Sequence, residues 1–269
     1  MRGPLTTLLL LSFLCTSGLA QTIPPTGAKA PQNTVGIQDA QTLDAMLYYV
    51  PGLSNPGRTE LLRQDIKSFM MPVREASSPG LEWAYALTSA LEFYHNLNSN
   101  YKDNLSPDYL HLSLANQGTR PNLEDGLRML TQQGTVSASI VPFGATTIPY
   151  AVYSVPKIQV ANFGYLFHAT TKARNRLFEV KKALTRGNPV LVELRTGTDF
   201  ATLSTATYAP TNPVTEQHFV TITGYDASTE TIELRGSFGR LWANGGYCTM
   251  SFADFTEFSV NAYVLFPTL

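Results

Sequence analysis

"SSPGLEWAYALTSALEFY", residues 77–94, reads as a helix leaving a tight turn. Trp83, Ala84, Leu87, Ala90, Leu91 and Tyr94 recur at spacings of three and four, which places them on one buried face. Ser77 or Ser78 is positioned to cap that helix, and Pro79 suits its first position. In the first turn, just before an indole, stands a carboxylate, Glu82. The helix dipole favours an acid there, so a solvated Glu82 with no partner is the plain reading. The segments around it suggest a second one.

Upstream, residues 1–20 have the pattern of an export signal. Arg2 is a short positive region, "LTTLLLLSFLC" an apolar core, and "SGLA" offers small residues before Gln21. The apolar run is shorter than the ~20 residues that span a bilayer. Leu14 is not the small residue that precedes a lipidated cysteine, so Cys15 is expected to leave with the signal after Ala20. Cys248 is then the one remaining thiol, and no internal disulfide can form. It lies in "GGYCTMSF", whose alternation predicts a strand with a small buried hydrophobe at that position. The formal net charge of -1 carries no footprint for nucleic acid. Charged residues make up only 14% of the chain, and Thr, Ser, Gln and Asn supply much of the polar surface.

Residues 21–38 are rich in Pro, Thr, Gly and Gln and read as an extended arm, with a short helix after it in "AQTLDAMLYYV". "LSPDYLHLSLAN" predicts a helix with Ser106 as cap and Pro107 at the first position. "NLEDGLRMLTQQG" predicts another, stopped by Gly134. Beyond residue 150 the pattern turns to strands, in "IQVANFGYLF", "PVLVELRT", "HFVTITGYD", "TIELRGSF" and "YCTMSF", with one helix in "NRLFEVKKALTRG". Helices first and then mainly strands make an α+β plan with two lobes.

Four of these segments resemble, in order, those of papain-like cysteine peptidases. "PVREASSPGLEWAYA" lies without a gap on P-V-K-N-Q-G-S-C-G-S-C-W-A-F, and "GNPVLVELRTGTDF" on the strand before the family's histidine. "TEQHFVTITGYD" matches D-H-A-V-x-x-V-G-Y, and "RGSFGRLWANGGY" matches K-N-S-W-G-x-G-W-G-E-N-G-Y. "LSPDYL" and "LEDGLRMLTQQG" look like the family's bacterial branch, which is poor in disulfides. The resemblance covers roughly residues 60–269. It implies a papain-like two-lobe fold, with a helical lobe over about 70–150 and a β-barrel-like lobe over about 151–269. Residues 21–59 would remain outside as an arm, a tether or interface segment much shorter than the family's inhibitory propeptide.

In that family a cysteine at a helix N-terminus attacks, a histidine deprotonates it, an asparagine orients the histidine, and a glutamine helps form the oxyanion hole. The resemblance puts Glu82 at the cysteine position, Ala76 at the glutamine and Gly236 at the asparagine, so that His218 alone is kept. Pro79 stands where a disulfide cysteine opens the helix, and Phe238 where a tryptophan shields the asparagine. Trp83, Gly239, Trp242, Gly246 and Tyr247 match scaffold positions. Loss of a triad nucleophile alone lowers turnover by about 10⁶-fold, and a carboxylate is a weak nucleophile toward an amide. The resemblance therefore implies an inactive homologue, in which Glu82 and His218 would pair across the former cleft.

The expected function is that of an exported pseudopeptidase, periplasmic, surface-bound or extracellular, that binds or scaffolds a protein or peptide partner in the cell envelope. Glu82, Trp83, His218, Phe219, Phe238 and Trp242 are the candidate cleft residues. No cofactor is expected, and no histidine pair has metal-site spacing, His95, His111 and His168 included. Two other classes remain open. One is a hydrolase that uses Glu82 and His218 by a different mechanism; the other is a structural subunit of a surface complex, its cleft filled by Phe219 or by the arm.

Overall fold

The opening stretch forms α2 (Glu82–Ser99), and its burial is more complete than one face. Every residue from Glu82 to Tyr94 is buried, because a sheet packs on one side of the helix and two helices pack on the other. The start also differs from expectation. Gly80, at φ +86°, makes a left-handed turn that only glycine adopts readily, so the helix begins after it with Leu81 as an N-cap that makes no side-chain cap bond. Ser77, Ser78 and Pro79 thus lie outside the helix. Ser77 donates to Asp108 instead, at 2.8 Å.

The computed structural model of the protein describes residues 36–54, 61–116, 121–211 and 213–268. The signal segment, Cys15 and the first part of the predicted arm lie outside the described residues. α3 (Pro107–Ala115) and α4 (Leu123–Gln132) cover the outer side of α2. Ser106 caps α3 by accepting from the Tyr109 N–H, and Asn122 and Asp125 close a capping box on α4. Gly126 lets α4 approach closely: a Cβ there would fall 2.5 Å from the Trp83 ring.

Among the described residues the strands are β1 (Arg63–Asp65), β2 (Val160–Phe167), β3 (Val190–Thr196), β4 (Glu216–Asp226), β5 (Thr231–Arg235), β6 (Tyr247–Ser251) and β7 (Ser259–Pro267). They form one antiparallel sheet in the order β2-β7-β3-β4-β5-β6, with β1 also paired to β4. Alternation along the strands builds two cores. Leu191, Tyr263 and Leu265 face α2, whereas Val190, Val192, Ala262 and Val264 face the opposite side, where α5 (Ala173–Thr185) and α6 (Phe252–Phe258) pack. Both sheet edges are covered. Ile37 exchanges backbone bonds with Phe163 and Tyr165 outside β2, and residues 206–208 do the same with Thr249 outside β6.

The second half of the predicted arm is part of the domain, not a tether. Within residues 36–54, α1 (Ala40–Met46) lies on β2, and Leu43, Leu47 and Val50 are at most 3% exposed. Asp44 pairs with Arg186 at 2.9 Å and Lys182 at 3.2 Å, and the Asn188 amide donates to the Tyr48 carbonyl at 2.7 Å. These partners lie some 140 residues away along the chain, which no local pattern reports. Cys248 is 2% exposed on β6, and burial pushes its thiol up to about 12. Alkylation at about pH 8 followed by peptide mapping should leave Cys248 unmodified in the folded protein and modify it in denaturant. Labelling of the folded protein would contradict that environment.

Candidate functional site

The site is built on the turn before α2. The Ser77 N–H donates to the Tyr85 phenol oxygen at 3.2 Å, and that hydroxyl donates to Asp108 at 3.1 Å. Asp108, 1% exposed, also accepts from the Gly144 N–H at 3.2 Å. Burial, with the neighbouring Asp108 charge, pushes the Tyr85 phenol up to about 12, so it stays a neutral donor. This anchor ties the turn before α2 and the first turns of that helix to α3 and to the loop at Gly144.

There Glu82 and His218 meet. Glu82 is 8% exposed, which removes the solvated reading, and its Oε1 lies 4.0 Å from His218 Nδ1. That is the outer limit of an ion pair and too long for a hydrogen bond. His218 Nδ1 is buried and without a hydrogen-bond partner among the described residues. The other ring nitrogen, Nε2, lies 3.2 Å from Glu216 Oε2. Glu216 is a site residue that sequence reasoning missed. The signal for it was the period of two, because residues 216 and 218 of a strand share a face.

An aromatic cluster walls in the imidazole. Phe200 and Phe238 stand 5.4 and 5.3 Å from it between ring centroids, and Trp242 lies 5.2 Å from both phenylalanines. The Trp242 indole N–H donates to the Phe200 carbonyl at 2.6 Å, which locks the ring in place. Phe200 was also not singled out beforehand, although it closes the loop that follows β3. Gly236 lies directly under this cluster. A Cβ at that position would fall 2.9 Å from both Phe238 and Trp242, so the room for any side chain is taken up by rings. Ala76 is half-buried, and its N–H donates to the Ser237 carbonyl at 2.8 Å, tying the strand-like 74–76 segment to the same loop.

The structure therefore brings together Glu82, His218, Phe238, Trp242, Gly236 and Ala76, but not the other two candidates. Trp83 is 2% exposed and belongs to the core, with its ring packed against Gly126 of α4. Phe219 sits on the opposite face of β4 from His218 and rests half-buried on that same core. Trp242 is itself only 3% exposed, so its role is packing. Surface cavities of about 180 and 430 Å³ lie elsewhere, beside β1 and at the far end of α2. Among the described residues, no three His, Cys, Asp or Glu side chains are grouped to hold a metal ion, and no helix is long and apolar enough to cross a membrane.

A model of the papain family of cysteine proteases matches residues 61–268, most of the chain. The chain belongs to the papain family. Among solved structures it is similar to xylellain, a cysteine protease from Xylella fastidiosa, with a TM-score of 0.63 at 16% identity over 78% of this chain and 87% of that one. Digestive procathepsin L 3 of Tenebrio molitor gives a TM-score of 0.63 at 19% identity, covering 84% of this chain and 79% of that one. At such identities the likeness is one of fold, and the papain-like α+β architecture is the fold seen here. The gamete and mating-type specific protein A of Dictyostelium discoideum is 25% identical over an alignment 222 residues long that covers 77% of this chain and 46% of that protein. The papain-family chain thus spans about half the length of this relative.

Proposed function

We propose that this papain-family chain is an exported pseudopeptidase that binds or scaffolds a protein or peptide partner in the cell envelope or outside the cell. The observation that carries the reading is the occupancy of the site. A carboxylate faces the His218 imidazole at 4.0 Å, and the rings of Phe238 and Trp242 fill the space above Gly236. Acyl transfer in this family needs a thiolate beside the imidazole and a group that orients the ring. Glu82 is a weak nucleophile toward an amide, and as a better leaving group than the amine it would be expelled again from the tetrahedral adduct before a mixed anhydride formed. Glu216 and the aromatic wall hold His218 instead, so the imidazole is a packed structural group. The signal-like residues 1–20 support export.

The test is incubation of the secreted protein with an unfolded protein substrate, with products read by mass spectrometry beside Glu82→Ala and His218→Ala. The expected result is no cleavage in any sample. Cleavage by the unmutated protein that both substitutions abolish would make Glu82 and His218 a working acid–base pair, and the chain a hydrolase of another mechanism.

A further inference from the structure

Beneath Gly236, between α2 and the segment that follows β5, lies a small cavity of about 10 Å³, room for one water-sized or halide-sized species. Its lining is polar and cationic, with Arg74, Arg235, Ser89, Thr221 and Ser237 contributing. Arg235 is 4% exposed, yet its guanidinium reaches neutral acceptors alone: the Met71 carbonyl and Tyr247 hydroxyl at 2.8 Å, and the Pro72 carbonyl at 3.3 Å. No described carboxylate lies within ion-pair distance of it. Arg74 is matched by Glu92 at 3.0 Å, and the same carboxylate attracts Arg235 at longer range, so a single negative charge serves the two guanidiniums that line the cavity. The Ser89 hydroxyl, which also lines it, is fully buried and has no hydrogen-bond partner.

A buried guanidinium whose hydrogen-bond partners are all neutral and a buried hydroxyl without a partner are both unfavourable, and one occupant relieves both. We propose that this cavity binds a single small monovalent anion, such as chloride, held by the Arg235 and Arg74 guanidiniums and the Ser89 hydroxyl. All of these groups can donate, and the excess charge of the lining is positive, so an anion matches it better than a neutral water does. The bound ion would tie α2 to the 71–74 segment and to the loop carrying Gly236, and would thereby stiffen the wall behind Glu82 and His218. The site is independent of whether the chain cleaves peptides.

Two measurements on the whole protein test this. Crystals soaked in bromide should show an anomalous peak within contact distance of Arg235 and the Ser89 oxygen. In solution, the melting temperature should be a few degrees higher in sodium chloride than in sodium gluconate at equal ionic strength, since a ligand of the folded state stabilises it by mass action. Ser89→Val removes the donor and narrows the cavity without disturbing either arginine, and it should abolish that difference. A water in place of bromide, or equal melting temperatures of the unmutated protein in the two salts, would overturn the proposal.

Discussion

Replacing Glu92 by alanine is expected to destabilise the fold by about 3–5 kcal/mol, the range found when one partner of a buried ion pair is removed. Glu92 lies on α2 at 0% exposure, and its carboxylate sits 3.0 Å from the Arg74 guanidinium. It also accepts from the Leu105 N–H at 2.6 Å, so truncation leaves a buried amide unpaired as well as a charge. Arg74 keeps a side-chain exposure of 17%, and some rehydration places the loss toward the lower end. Denaturant midpoints would measure it, and a loss below about 1 kcal/mol would show that Arg74 swings out to solvent. The pH dependence has a definite sign. Burial raises the Glu92 pKa, against the pull of Arg74. A raised folded-state value means that the native protein binds the proton more readily than the unfolded chain. The associated stability is present at low pH and is lost as the pH rises through the folded pKa. Glu92→Gln lacks that loss, so its deficit relative to the unmutated protein should shrink as the pH rises.

Glu82→Cys, by itself, is expected to leave peptide hydrolysis about 10²–10³-fold or more below a complete family enzyme, the loss that follows removal of an oxyanion-hole donor. On the function proposed here the thiol would face His218 Nδ1, but Ala76 offers no side-chain donor to a developing oxyanion. Glu216 holds Nε2, and Phe200 and Phe238 fix the ring plane. Adding Gly236→Asn should not repair this. Its Cβ would meet Phe238 and Trp242 at 2.9 Å, an overpacking that costs about 1–3 kcal/mol. The double variant should therefore be less stable and no more active toward fluorogenic peptides. Turnover by the single cysteine variant at the rate of a complete family enzyme would show that the loss of activity rests on one residue.

Several features of the molecule were open to local reading. The helix around Trp83, the Ser106–Pro107 start of α3 and the stop at Gly134 depend on residues within one or two turns of each other. The strands from Val160 to Ser251 were legible as short β-branched and aromatic runs, several of them bounded by Gly, Pro, Asn or Asp. β7 was not, although it runs between β2 and β3. "SVNAYVLFP" is almost continuously buried, and a short apolar run of that kind lacks the period that marks a half-exposed strand. The start of α2 was misplaced for a related reason: a Ser-Ser-Pro run satisfies every cap rule, but Gly80 turns the chain after it.

By itself the sequence determined the family, the order of most elements and the approach of Glu82 to His218, because short motifs carry the residue types that a fold requires at fixed places. Tertiary structure alone decided how that site is filled. Phe200 and Phe238 converge on one imidazole from segments that are distant from it in the chain, with Trp242 packed behind them, and Asp44 and Val50 draw the supposed arm into the domain. Contacts of that kind depend on distances between side chains that share no periodicity, and packing sets those distances only once the sheet has brought its strands together.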